Sequence, residues 1–129
     1  MKIVKQKPFV TISLLSIFIF CFLLGILRWI SIFNKDICVI NAEVNSHITN
    51  FTLSLMLCTL LGYVLLVTGK SFGSNIFCGI VLVAANFVYE SFLPVLNTTD
   101  LVDAFYGLFG VAISLGYLYM IGKFGFIRE

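Results

Sequence analysis

The stretch Ile48–Gly69, ITNFTLSLMLCTLLGYVLLVTG, runs for 22 residues without an Asp, Glu, Lys or Arg. At a rise of about 1.5 Å per residue, a helix of that length covers the roughly 30 Å hydrocarbon core of a bilayer. Three further stretches are equally free of charge: Pro8–Leu27, Ser71–Tyr89 and Ala104–Gly122, of 20, 19 and 19 residues. Backbone groups in hydrocarbon have no water to bond and must pair within their own segment, which selects helix. The runs are continuously apolar rather than alternating, unlike the strands of a membrane β-barrel. The expected architecture is an all-α membrane protein, a bundle of four transmembrane helices near 9–31, 48–68, 73–93 and 102–122. No room remains for a second domain, so residues 1–129 read as one integral membrane unit.

Composition agrees. Of the 129 residues 60% are hydrophobic and 11% charged, with a mean hydropathy of +1.11. An ordinary soluble domain is about half apolar and roughly a quarter charged. So few charges cannot cover a small globule, whose surface is large for its volume. A net charge of +2 without a clustered basic stripe also argues against nucleic acid as a partner.

The positions of the charges orient the chain. Lys2, Lys5 and Lys7 precede the first run, Lys70 separates the second from the third, and Lys123 and Arg128 follow the fourth; with Glu129 this side carries +5. Arg28, Lys35, Asp36, Glu43, Glu90, Asp100 and Asp103 leave the other side at −3. Basic residues collect on the cytoplasmic face, so the expected topology in the plasma membrane has both termini cytoplasmic and both acidic connections outside. The first run lacks a small-x-small site at its exit, Leu27-Arg28-Trp29-Ile30, and is expected to remain as an anchor. Cys21, Cys58 and Cys78 fall within runs and only Cys38 lies in an outer connection, so no disulfide framework or CxxC site is expected. Neither a metal nor a cofactor is expected. The turn Gly69–Gly73 is short and makes the second and third spans neighbours, and the short connection Pro94–Thr99 does the same for the third and fourth.

Polar groups are costly in a membrane, so their spacing carries information. At about 100° per residue, Asp100, Asp103, Gly107, Gly110 and Ser114 share an arc of the fourth helix. Asn75, Gly79, Asn86 and Glu90 share one on the third. His47, Ser54, Cys58 and Gly62 do so on the second, and Cys21, Gly25 and Arg28 on the first. Gly107, Gly110, Ser114, Gly79 and Gly62 are the residues that let membrane helices pack closely. Inward-facing stripes would bring Arg28, His47, Asn86, Glu90, Asp100 and Asp103 to one outer pocket. Such a pocket could bind a polar or cationic headgroup, hold a divalent ion, or supply acid and base groups. Considered separately, Arg28 reads as an interface anchor and His47 as a solvated side chain. No HExxH, GxSxG or P-loop motif specifies an enzyme.

The segment Asn86-Phe87-Val88-Tyr89-Glu90-Ser91-Phe92-Leu93-Pro94, then Asn97-Thr98-Thr99-Asp100-Leu101-Val102-Asp103 with Gly107 and Gly110, resembles the VanZ-like family. That family comprises small multi-pass bacterial membrane proteins and is named for a member linked to teicoplanin resistance. His47 and Phe51 are similar to the His-Phe pair at the start of the family's second helix. The resemblance spans about residues 47–116. The chain departs from the family in having Gly107 where an Asn is usual and Asn97 nearest to the usual loop arginine. The resemblance implies a cell-envelope protein whose outward pocket interacts with an envelope lipid or precursor, with a part in glycopeptide resistance. Alternative readings are an intramembrane lipid-modifying enzyme, a partner subunit of a homo- or hetero-oligomeric membrane complex, and a small transporter. The transporter ranks last, because the first span carries no embedded acid.

Overall fold

The computed structural model describes residues 5–92 and 100–127. Lys2, Arg128, Glu129, the connection Pro94–Thr99 and the loop position Asn97 lie outside the described residues. Four helices account for nearly all of the rest: α1 (Pro8–Phe33), α2 (Ala42–Val67), α3 (Phe72–Phe92) and α4 (Leu101–Phe124). All four are long and apolar enough to cross a membrane. They run up, down, up and down, so α1 begins and α4 ends at one end of the bundle, here the terminal end. At the distal end α1 and α3 end, and α2 and α4 begin.

Local chemistry sets the helix limits. Pro8 occupies the first turn of α1, where a missing N–H costs nothing. The side chain of Asn41 accepts a 2.8 Å hydrogen bond from Val44 N, so α2 starts at Ala42, a turn and a half ahead of the charge-free run. That extension carries Glu43 and His47 out at the distal end. Gly69, at φ 77°, closes α2 with Gly69 N donating to Leu66 O and Lys70 N to Leu65 O, a paired stop that needs the left-handed conformation. Asp100 caps α4 through Val102 N at 3.0 Å, and its carboxylate and that of Asp103 favour the positive end of the helix.

The most extensive contact joins α2 to α4, two helices that run parallel and are not adjacent in the chain. Their partners keep a nearly constant separation, 56 residues for His47 with Asp103 and 55 for Thr59 with Ser114. Small residues bring the pair together. A Cβ at Gly110 would strike the backbone of Phe51 and Leu55, and one at Gly62 would strike Leu118. Ser114 and Thr59 share a 2.9 Å hydroxyl hydrogen bond at full burial. Gly79 of α3 sits against Val111 and Leu115 of α4. Without water to drive them together, membrane helices hold by such close contact and by hydrogen bonds between them.

The apolar core occupies the terminal end, where Val10, Leu66, Leu118 and Ile121 bury one another. There β1 (Lys5–Gln6) and β2 (Phe126–Ile127) form a short antiparallel pair, Lys5 opposite Ile127 and Gln6 opposite Phe126. Lys7 N donates to Gly125 O at 2.8 Å, the Tyr63 hydroxyl donates to Gln6, and the Ser13 and Tyr117 hydroxyls share a 2.8 Å bond. This clasp joins α1 to α4 at one end. Toward the other end the two helices part and leave an apolar cleft. The outward faces carry exposed Phe22, Trp29, Phe77 and Ile113, an apolar surface compatible with contact to lipid.

Candidate functional site

At the distal end the early start of α2 brings His47 level with the first turn of α4. His47 Nδ1 lies 2.6 Å from Asp103 Oδ1 and 3.7 Å from Asp100 Oδ2. An ionised carboxylate can only accept, so Nδ1–H is the donor when Asp103 is charged. Side-chain exposure rises outward, from 14% for His47 to 19% for Asp103 and 39% for Asp100. The Tyr106 ring, one turn below Asp103, lies against the imidazole with centroids 5.2 Å apart. The two rings are tilted by 33°. His47, Asp100 and Asp103 each present a ligand atom, and these atoms lie within 4.8 Å of one another.

Glu90, near the end of α3, is only 4% exposed. Its Oε2 is buried with no hydrogen-bond partner among the described residues. Asp103 and Asp100 lie within electrostatic reach of it. Glu90 borders a cavity of about 520 Å³ with Asp100. It also borders a larger cleft of about 700 Å³ between α2 and α3, shared with Asn50, Ser54 and Asn86. Asn86 Nδ2 donates to Ser54 Oγ at 2.9 Å, in space that a side chain at position 107 would take. Gly107 therefore permits the amide to cross between α3 and α2.

The structure brings five of the six candidate pocket residues to the region where α2, α3 and α4 meet. His47, Asp100 and Asp103 form one cluster; Glu90 adjoins it, and Asn86 lies a turn deeper. Arg28 is placed elsewhere. It sits at the seam of α1 with α2, where its guanidinium donates to Ser31 Oγ at 3.3 Å, and it forms no ion pair among the described residues. Ser31 in turn accepts from Asn45 Nδ2 at 2.9 Å, and Asn45 Oδ1 accepts from Val39 N at 3.1 Å. This network fastens the end of α1 and its following loop to α2.

Several neighbours of the cluster are not foreshadowed by the polar stripes. Tyr106 lies against the imidazole, Asn50 lines the cleft that Glu90 borders, and Asn45 holds the adjoining loop. The apolar cleft between α1 and α4 has a volume of about 700 Å³ and is lined by Phe20, Leu24, Ile48, Phe51, Tyr106 and Phe109 among others. Tyr106 thus touches both the cleft and the imidazole. Comparison of the chain with protein-family profiles, with curated proteins and with solved structures finds no match.

Proposed function

We propose that the chain is a VanZ-like protein of the bacterial plasma membrane, with both termini cytoplasmic, whose distal site faces outward and binds an envelope lipid or lipid-linked precursor. The bias of basic residues toward the terminal end supports the orientation. The observation that carries the binding reading is the junction at Tyr106, where a polar cluster and an apolar cleft meet. An amphiphile needs both surfaces, one for its head and one for a chain. The cleft between α1 and α4 takes the acyl portion, and the groups around His47, Asp100, Asp103 and Glu90 take the head. Action by binding or shielding would contribute to glycopeptide resistance.

The test is Asp103→Asn in a glycopeptide-susceptible bacterium carrying the protein. Resistance or envelope-stress tolerance should disappear while the amount of protein in the membrane stays normal, and lipid recovered with the purified variant should fall. A variant as active as the parent overturns the reading. The 2.6 Å His47–Asp103 pair favours a second reading, a lipid-modifying enzyme in which the carboxylate orients the imidazole as a base. Turnover of the recovered lipid by purified protein separates the two.

A further inference from the structure

We infer that His47, Asp100 and Asp103 form a binding site for a divalent metal ion, with Glu90 completing it from α3. The donors come from helices far apart in sequence, so no spacing motif announces them. Asp100 and Asp103 are held at the start of α4 by the cap that Asp100 makes to Val102 N. His47 is held by Tyr106 from one side. Neighbouring ligands of a six-coordinate ion with bonds of about 2.1 Å stand roughly 3 Å apart. The observed separations from Nδ1, 2.6 Å to Asp103 and 3.7 Å to Asp100, bracket that value. The ion takes the place of the proton on Nδ1, and the two carboxylate oxygens move by roughly half an ångström, Asp103 away and Asp100 closer. A doubly protonated ring releases that proton to solvent and keeps Nε2–H, whereas a neutral ring moves it to Nε2, so the bound imidazole is neutral either way.

Glu90 is the independent sign of a missing partner. A carboxyl group 4% exposed, with Oε2 unpartnered among the described residues, borders the same cavity as Asp100. Buried polar atoms are nearly always paired with protein or with ordered water or ions. A cation between Glu90 and the cluster, reached directly or through a bound water, satisfies that oxygen and offsets the mutual repulsion of three carboxylates. One imidazole with several carboxylate oxygens is a borderline-to-hard donor set, suited to Mn²⁺ or Zn²⁺. The site stands on these donors alone and requires no lipid.

Mn²⁺ is the probe of choice, because the thiols favour softer ions. Chelator-treated full-length protein in detergent is titrated with Mn²⁺ by electron paramagnetic resonance. One ion should bind per chain with saturation in the micromolar range, and the bound signal should carry nitrogen coupling from the imidazole. His47→Ala should remove that coupling and weaken binding by about tenfold or more. Asp100→Asn should also weaken it about tenfold while the fold survives, since Asn is an equally good helix cap. Glu43→Gln, at an exposed acid of the same end, should bind as the parent does. Absence of saturable binding, or nitrogen coupling unchanged in His47→Ala, overturns the inference. An Asp103→Asn variant as resistant as the parent, alongside saturable metal binding by the parent protein, would instead strike only the lipid reading.

Discussion

His47 on α2 and Asp103 on α4 are 56 residues apart in the chain and 2.6 Å apart in space, and they tie together the distal ends of two parallel helices. Below them the same pair of helices is held by close contact at Gly110 and by the Thr59–Ser114 hydrogen bond. Removing one partner leaves the other half-buried and unpaired, which costs more than the bond itself contributes. His47→Ala should lower stability in detergent by about 1–3 kcal/mol. Asp103→Asn, which still accepts a hydrogen bond, should lower it less. Chemical unfolding followed by the fluorescence of Trp29 measures both, and equal losses would contradict the pairing.

The two glycines Gly110 and Gly116 lie six positions apart on α4 and should respond in opposite directions to the same substitution. Gly110→Ala places a methyl group against Phe51 O and Leu55 N, backbone atoms that move only if α2 moves. Overpacking of this kind costs about 1–3 kcal/mol. A Cβ at Gly116 meets nothing within 4 Å, so Gly116→Ala should be neutral or stabilising by up to about 1 kcal/mol through helix propensity. Thermal unfolding of the two variants side by side decides the matter.

The buried hydroxyl pair Thr59–Ser114 should show modest coupling. Hydrogen bonds between membrane helices average about 0.6 kcal/mol in double-mutant cycles, because the separated helices find other partners. Thr59→Val with Ser114→Ala should give a coupling of about that size, and the same cycle on Ser54 and Asn86 a similar one. A coupling indistinguishable from zero in both would mean that packing alone holds these seams.

Cysteine labelling reads the orientation directly. Cys38 is exposed in the connection between α1 and α2, whereas Cys21 and Cys58 are buried. In intact cells a membrane-impermeant maleimide should label Cys38 and leave the other two untouched. Labelling of Cys38 only after the membrane is opened would invert the proposed topology.

The positions of all four helices are legible in the sequence, because a charge-free run of about 20 residues has few other uses. The start of α2 is not: its first turns hold Asn45, Ser46 and His47 and look like loop, and only the Asn41 cap shows that the helix has begun. Helix neighbours are legible only where connections are short. Those connections speak for α2 with α3 and α3 with α4, while the dominant contact is α2 with α4, which no loop length encodes. The polar faces gather His47, Asp100 and Asp103 from helical spacing alone. They misjudge the surroundings of Arg28, because an arc on one helix does not say which neighbour that arc meets. Asn45, also polar and one turn inside α2, turns out to be its second neighbour through Ser31.

The clasp between Lys5–Gln6 and Phe126–Ile127 has a consequence for how the chain could be rewired. With Lys5 paired to Ile127 and Lys7 N bonded to Gly125 O, the described residues almost close into a ring. A linker of a few residues from Ile127 to Lys5 would seal it, and a new opening at Lys70 would give a chain in the order α3, α4, α1, α2. Its ends would emerge at the terminal end of the bundle, the end that holds the clasp. A circular permutant of this kind should insert and fold with every helix keeping its direction.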